Sequence, residues 1–219
     1  MFSPLITQTL TAFGFTLAMI VLLSRVAPSM GLMDSPSGRK RHPEATPLIG
    51  GLAIMATLCL GALIWGDVDG AFITVGNQEA LWVLLGCAIF LVLTGALDDR
   101  FHLGVFARVG SELLVALIVI EMLNLRVSQL GDLLNTGNIK LSDFFAYPFT
   151  MVAIFGIINS FNMLDGIDGL LASLVIATLL TFHLFTELPP DLITLFIGSS
   201  LVAFLVSNLK LTALIPKTF

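Results

Sequence analysis

The sequence predicts an all-α polytopic membrane protein, because it is apolar almost throughout, carries few charges and contains seven long apolar runs. Of its 219 residues, 57% are hydrophobic and only 11% are charged, and the mean hydropathy is +1.00. A soluble domain has no core large enough to bury so much apolar surface. A helix needs about 20 mostly apolar residues to cross a bilayer. We therefore predict a single membrane domain over residues 1–219, with about seven transmembrane helices at Leu5–Leu23, Leu48–Trp65, Ala80–Leu97, Val109–Leu125, Phe144–Phe161, Leu170–Phe185 and Leu192–Leu209.

The basic residues predict the orientation, because cytoplasmic loops of membrane proteins are enriched in Lys and Arg. Of the ten basic residues, only Arg126 and Lys140 fall on one side of the predicted helices. The other eight are Arg25, Arg39, Lys40, Arg41, Arg100, Arg108, Lys210 and Lys217. Their side is therefore predicted to be cytoplasmic, with the N-terminus outside. The first run is preceded by no basic segment, so we do not expect a cleavable signal peptide.

The loops contain little that suggests chemistry outside three polar clusters. The longest loop on the outer side, at about Val127–Asp143, contains Gly131, Gly137 and Asn138, which indicates a turn or hairpin. Cys59 and Cys87 lie within apolar runs and are expected to be packing residues. The three polar clusters lie at 31–51, 97–108 and 159–169, all on the predicted cytoplasmic side. We therefore expect them to form one site.

The first cluster, "GLMDSPSGRKRHPEATPLIGG", combines a basic run with prolines and a glycine pair. It could serve only to bind lipid head groups after the first helix. Prolines stiffen a loop and glycines allow close backbone approach, however, and a simple electrostatic anchor needs neither. The basic run Arg39, Lys40, Arg41 and His42 is therefore a candidate for phosphate binding.

The second cluster, "GALDDRFHLGVFAR", places Asp98 and Asp99 at the end of an apolar helix. Acids near a helix C-terminus oppose the helix dipole, at a cost of about 1 kcal/mol each. A cation held between them would offset that cost. The alternative is structural: Asp99 could pair with Arg100 or Arg108. His102 is interpreted as a loop residue rather than a metal ligand.

The third cluster, "NSFNMLDGIDGL", spaces Asn159, Asn162, Asp165 and Asp168 three residues apart. On a regular helix each step of three turns the side chain by about 60° relative to the last, so only neighbours share a face. Gly166 and Gly169 would allow the helix to break, and all four side chains could then converge. Oxygen ligands of this kind suit Mg²⁺, and Mn²⁺ is a possible substitute. The alternative for Asp168 is that it caps the sixth helix.

Two ionisable residues fall inside apolar runs. Glu112 follows Arg108 by one helical turn, and we interpret the two as an intrahelical ion pair. His183 is interpreted as a packed residue.

Taken together, "GLMDSPSGRKRHPEATPLIGGLAI", "GALDDRFHLGVFAR" and "NSFNMLDGIDGL" resemble the polyprenyl-phosphate N-acetylhexosamine-1-phosphate transferase family, in both order and spacing. The resemblance implies an enzyme of the bacterial inner membrane with its active face in the cytoplasm. It would transfer N-acetylglucosamine-1-phosphate from a UDP-sugar to undecaprenyl phosphate and release UMP. Such a reaction initiates lipid-linked surface glycans such as O-antigen.

The resemblance also implies roles for individual residues. Asp98, Asp99, Asp165 and Asp168 would be catalytic, with Asp98, Asp99 and Asp168 as Mg²⁺ ligands and one of the first pair as a base toward the lipid phosphate. Arg39, Lys40, Arg41, His42, Asn159 and Asn162 would bind substrate. Membrane lipids are the other expected partners, and no nucleic acid is.

The resemblance leads one to expect two further motifs, an acidic one of the form GDAGS and a histidine-containing loop, which this sequence does not contain. The expectation is therefore a truncated chain with negligible turnover by itself, an inactive remnant, or one half of a split enzyme. A separately encoded C-terminal half or a homodimer could complete the site.

Two other function classes fit the sequence less well. A CDP-alcohol phosphatidyltransferase also carries a DxxDG motif, but "DGIDGLLAS" has Ser173 where that family has Arg and lacks its further acids. An ion transporter would place ionisable groups near the bilayer midplane, whereas these groups cluster at one rim.

The orientation is testable by cysteine labelling of intact cells, in a background with Cys59 and Cys87 replaced by Ala. An impermeant thiol reagent is expected to label Ser142→Cys, on the outer side, and not Ser37→Cys, on the cytoplasmic side. Labelling with the reverse pattern would place the three polar clusters outside the cell and rule out a cytoplasmic site.

Overall fold

The computed structural model describes residues 4–34, 45–66, 78–133, 135, 137–186 and 191–219, and these form seven α-helices and a short two-stranded ribbon. The helices are α1 (Pro4–Met30), α2 (Gly50–Trp65), α3 (Gln78–Phe101), α4 (Val105–Leu123), α5 (Asp143–Leu164), α6 (Leu170–Thr186) and α7 (Leu192–Asn208). The strands β1 (Met33–Asp34) and β2 (Thr46–Pro47) pair antiparallel. Each predicted apolar run coincides with a helix, so the all-helical prediction is confirmed.

Three of the helices are long and apolar enough to cross a membrane, namely Leu5–Met30 within α1, together with α3 and α5. Helices α2, α6 and α7 are apolar but contain only 16, 17 and 17 residues. At 1.5 Å per residue they are about 24–26 Å long, somewhat less than a hydrocarbon core of about 30 Å. Helix α4 carries Arg108, Glu112 and Glu121. The chain is thus a polytopic membrane protein with three clear candidate spans, and the prediction of seven spans stays a prediction.

The helices α2 to α7 form a closed ring. Each contacts the next along the chain, and α7 contacts α2, while α1 packs outside the ring against α2 and α7. Because successive helices run in opposite directions, α3, α5 and α7 end where α2, α4 and α6 begin. We call this side of the ring the acidic end, because Asp98, Asp99 and Asp165 lie there.

A buried hydroxyl cluster joins α1 to the ring. The hydroxyls of Thr16 and Thr57 are 2.8 Å apart, and Thr16 also donates to Ser200 Oγ at 3.1 Å. All three residues are fully buried. Small hydroxyl residues let apolar helices approach closely and then bond across the interface, which is how helices associate when lipid removes the hydrophobic driving force.

The residues after α7 fold back onto the acidic end. The carbonyl oxygen of Phe219 accepts hydrogen bonds from the backbone N–H groups of Ile49, at 3.0 Å, and Gly50, at 2.8 Å. A Cβ at Gly50 would lie 2.3 Å from the ring of Phe204, so only glycine allows this close approach. The prediction that the Gly50–Gly51 pair permits close packing therefore holds for Gly50. Gly51 has open space around it.

The loop between α4 and α5 forms the hairpin that its glycines indicate. Gln129 and Lys140 form an antiparallel bridge, and Leu130 and Ile139 are joined by a backbone hydrogen bond of 2.9 Å. Where this loop leaves α4, the backbone N–H of Val127 donates to Thr150 Oγ1 at 2.9 Å, which ties α4 and α5 together at the ends opposite the acidic end.

Candidate active site

The acidic ends of α3 and α5 meet at one cavity of about 280 Å³, which α4 closes from the side. Four of the residues predicted as site residues line it: Asp98 and Asp99 in the last turn of α3, Asn162 in the last turn of α5, and Asp165 directly after α5. The side chains of Arg108, Ser111 and Glu112 on α4 complete its polar lining. We refer to this space as the acidic cavity.

Asp99 and Asp165 also face a second cavity of about 250 Å³, toward α2. Gly50 and Gly51 line it on one side, and Phe219 lines it on another. These two carboxylates therefore stand between two open spaces, and a ligand in either space can reach both of them.

The carboxylates of the acidic cavity are only partly neutralised. Asp98 accepts a hydrogen bond from Arg108 Nη1 at 3.4 Å, a long ion pair between half-exposed side chains. Asp98 and Asp165 lie close enough to Asp99 to repel it electrostatically. Asp34, the last residue of β1, adds to this repulsion, and His102 offsets part of it. The arrangement leaves a site that attracts a cation.

The intrahelical ion pair predicted for Arg108 and Glu112 is wrong, and the alternative in which Asp99 pairs with Arg100 or Arg108 is not found either. Arg108 pairs with Asp98, not with Asp99 or with Glu112. Arg100 instead lies over the ring of Phe101, with its Cζ 4.9 Å from the ring centroid. The reason is the bend between α3 and α4, which swings Arg108 back over the end of α3, whereas Glu112 turns toward α5. His102 lies in this bend as an exposed loop residue, as predicted, with a positive φ of 52°.

Helix α5 breaks within the third cluster, as the glycines of that cluster predict. Helix α5 ends at Leu164, and Asp165–Gly169 form a turn before α6. Gly169 has a φ of +74°, a conformation that other residues rarely adopt, and a Cβ there would lie 3.0 Å from Leu209 Cδ2.

The prediction that all four polar residues of this cluster converge is wrong, however. Asn162 and Asp165 line the acidic cavity, but Asn159 and Asp168 do not. Asn159 donates its amide to Glu112 Oε2 at 2.5 Å, deeper between α4 and α5. The break follows Leu164, so Asn159 keeps its regular helical direction, and Asp168 lies in the turn beyond it, where it meets Lys217 instead.

Asp168 forms an ion pair instead of capping α6. Its Oδ2 accepts a hydrogen bond from Lys217 Nζ at 2.6 Å, while among the described residues its Oδ1 is buried without a hydrogen-bond partner. Lys217 belongs to the tail that folds back after α7, and the spacing of the sequence gives no signal for this contact. The catalytic and metal-binding roles predicted for Asp168 stay predictions.

The basic run Arg39, Lys40, Arg41 and His42 lies outside the described residues. The strands β1 and β2 flank this run. Strand β2 lies beside the returning tail, since the Phe219 N–H donates to the carbonyl of Pro47 at 3.0 Å. The predicted role of this run in phosphate binding stays a prediction.

The acidic cavity fits a cation that needs few protein ligands. Within the described part of the chain, no group of three or more His, Cys, Asp or Glu side chains is arranged to hold a metal by itself. Mg²⁺ does not require one, because it keeps several waters and takes one or two carboxylates together with substrate phosphates. Asp99 and Asp165, which repel each other across the cavity, provide such a pair.

Comparison with known proteins identifies relatives along most of the chain. The model of glycosyl transferase family 4 matches residues 81–215, more than half of the sequence. The undecaprenyl-phosphate alpha-N-acetylglucosaminyl 1-phosphate transferases of Yersinia pestis and Escherichia coli O157:H7 are 36% and 37% identical over 77% of this chain and 43% of their own. A probable undecaprenyl-phosphate N-acetylglucosaminyl 1-phosphate transferase of Bacillus subtilis is 32% identical over 73% of this chain and 42% of its own. The chain thus spans less than half the length of these curated relatives.

Partial burial beside the acidic cavity raises the pKa of the Asp165 carboxyl, whose side chain stays more than a third exposed, and this gives a testable pH dependence. The unfolded state ionises first as the pH rises above the ordinary pKa of Asp, so the folded state is progressively destabilised until the pH passes the raised folded pKa. In the absence of divalent cations, Asp165→Asn is expected to raise the melting temperature at pH 7–8, with no difference below the ordinary pKa of Asp.

Asp98→Asn is the matched control for this experiment, because it makes the same change in the same cavity but removes the partner of Arg108. It is expected to leave the melting temperature unchanged or lower it at pH 7–8. An Asp165→Asn variant that is destabilised at pH 7–8 would contradict the account.

Proposed function

This chain belongs to glycosyl transferase family 4, and on that premise we propose that it forms part of a site that transfers N-acetylglucosamine-1-phosphate from a UDP-sugar to undecaprenyl phosphate. The names of its relatives describe that activity, and the proposal carries it to this chain. An oxygen of the lipid phosphate attacks the β-phosphorus of the UDP-sugar. The bond from that phosphorus to the bridging oxygen breaks, and UMP leaves.

The observation that supports this proposal best is the acidic cavity itself. It brings Asp98, Asp99, Asn162 and Asp165 together beside Arg108, at the end of helices that lie in a membrane. Phosphoryl transfer requires positioning and charge neutralisation more than covalent catalysis. A mixed lining of carboxylates, an amide and one guanidinium suits a diphosphate held through a divalent cation.

Asp99 and Asp165 are the residues we propose to hold Mg²⁺, or Mn²⁺ in its place, with Asp98 beside them. A divalent cation held by these residues would neutralise charge that builds up on the diphosphate. Asp168 was predicted as a further ligand. Its pairing with Lys217 favours a different role, in which the ion pair holds the turn that positions Asp165.

The remaining roles follow from charge and position. Arg108 is half-exposed and only loosely paired with Asp98, so it is available to a phosphate oxygen. Asn162 offers an amide that can donate a hydrogen bond to substrate. A phosphate monoester has a second pKa near 6 and is mostly ionised at pH 7, so the attacking oxygen needs little help from a base. The base role predicted for one of Asp98 and Asp99 is therefore secondary.

The substrates fit a site at a membrane surface. Undecaprenyl phosphate presents its phosphate where the helices end, and the UDP-sugar arrives from the aqueous side. We propose that this side is the cytoplasm, because eight of the ten basic residues lie on it. We further propose the bacterial inner membrane as the location, with the basic run Arg39–His42 contacting phosphate there.

Release of UMP from UDP-N-acetylglucosamine tests the proposed function. Membranes that contain this chain are supplied with undecaprenyl phosphate and Mg²⁺, alone and together with the segment of the Escherichia coli O157:H7 relative that this chain does not match. Product is expected in the combined membranes. Asp99→Asn and Asp165→Asn are each expected to lower the rate about 10²–10³-fold, the usual cost of losing one electrostatic contact to the transition state.

Glu121→Gln is the matched control, because Glu121 lies on α4 at the outer end, away from the acidic cavity. It is expected to leave the rate unchanged. Absence of product in both kinds of membrane, with the chain shown to be present and folded, would contradict the proposed function. Equal rates in all the variants would contradict the proposed site.

A further inference from the structure

A buried polar contact ties α4 to α5 just inside the acidic end. The Nδ2 amide of Asn159 donates to Glu112 Oε2 at 2.5 Å. It also donates to the carbonyl of Phe155, on its own helix, at 3.0 Å. Glu112 is only 9% exposed. A buried carboxylate is costly unless it is hydrogen-bonded, and the bond from Asn159 meets that need.

We propose that Glu112 is a positioning residue of the acidic cavity, which acts through Asn159. By holding Asn159, it fixes the rotation of α5 against α4. Asn162 and Asp165 follow three and six residues later at the end of the same helix, so their direction depends on that rotation. The inference rests on the proposed function, because it concerns how that function's site is assembled.

A single turn of α4 reaches both walls of the cavity. Arg108 bonds Asp98 on α3, and Glu112, four residues later on the same face, bonds Asn159 on α5. Both side chains also line the cavity themselves. Helix α4 therefore spaces the two acidic helix ends, one contact to each.

The outer tie between these helices cannot replace this contact. The bond from Val127 N–H to Thr150 Oγ1 lies nine residues before Asn159 along α5, about 13 Å away, and the hydrogen bond between Tyr147 and Glu121 lies farther still. A helix held only at that end can still shift at the acidic end. Among the described residues, the side-chain hydrogen bond that joins α4 to α5 near the cavity is the one between Glu112 and Asn159.

A purely structural role for Glu112 predicts a different result from a positioning role. Removing one partner of a buried hydrogen bond destabilises a protein whether or not that bond positions anything else. A stability measurement alone therefore does not distinguish the two. The position of the end of α5 and the affinity of the cavity for a cation do, because only the positioning role requires them to change.

The test uses the full 219-residue chain in nanodiscs, with Cys59 and Cys87 replaced by Ala. Spin labels are attached through Phe106→Cys on α4 and Met163→Cys on α5, at side chains that are 94% and 84% exposed. Electron paramagnetic resonance then reports the distance between the labels. One narrow distribution is expected for the starting protein, and a broadened or shifted one for Glu112→Leu.

Glu112→Gln is expected to keep the narrow distribution, because the glutamine carbonyl accepts the same hydrogen bond from Asn159. Val115→Ala is the matched control: Val115 is buried on α4, and its truncation removes packing but no polar contact. In a parallel measurement without labels, Glu112→Leu is expected to weaken Mn²⁺ binding about 10–100-fold, as is usual when a group that orients a ligand is lost. Glu112→Gln should keep the affinity.

An unchanged distance distribution in Glu112→Leu would overturn the proposal. Should that variant fail to fold, Glu112→Asp takes its place, because its side chain is one methylene shorter and cannot maintain the 2.5 Å contact without movement. Absence of Mn²⁺ binding by the starting protein would count against the proposed metal site only, and the label distances would still decide the role of Glu112.

Discussion

The placement of Asp99 and Asp165 beside one another is the constraint around which the acidic end is organised. The two carboxylates come from helices that are far apart in the sequence, and they line the same two cavities. Asp34 and Asp98 add negative charge, and burial raises the pKa of Asp165. Such a cluster is stable in a membrane protein only if its cost is offset elsewhere, or by a bound cation. We take this crowding of carboxylates in one cavity as the physical basis of the proposed metal-dependent transfer.

The neighbouring polar contacts show which charged side chains are already engaged and which stay available to a ligand. Arg108 engages Asp98, Lys217 engages Asp168, and Asn159 engages Glu112. Each contact joins a different pair of elements, so each also fixes a helix end or the returning tail. Asp99 and Asp165 remain without a basic partner of this kind among the described residues. The supports thus surround the two carboxylates that we propose to act on the substrate.

Much of the fold could be predicted from the sequence, because apolar runs of this length form helices in a membrane, and the glycines marked the break after α5 and the outer hairpin. The shared location of Asp98, Asp99 and Asp165 followed from loop charges and alternating helix direction. The ion pairs could not be predicted. The contact of Arg108 with Asp98 depends on the angle of the bend after Phe101. The contact of Asp168 with Lys217 depends on a tail whose path only the assembled helices define. Asp34 was missed because the prolines and basic residues beside it gave the stronger signal.

The most direct test of the central claim is Mn²⁺ binding by the purified chain, measured by electron paramagnetic resonance in Asp99→Asn, Asp165→Asn and the double variant. If both carboxylates hold one ion, each single substitution weakens binding about tenfold or more, as loss of a ligand or of the group that orients it does. The double variant then loses much less than the product of the two single effects, because the site is already broken. Full binding in either single variant, or multiplicative losses in the double, would show that the two carboxylates do not form one site.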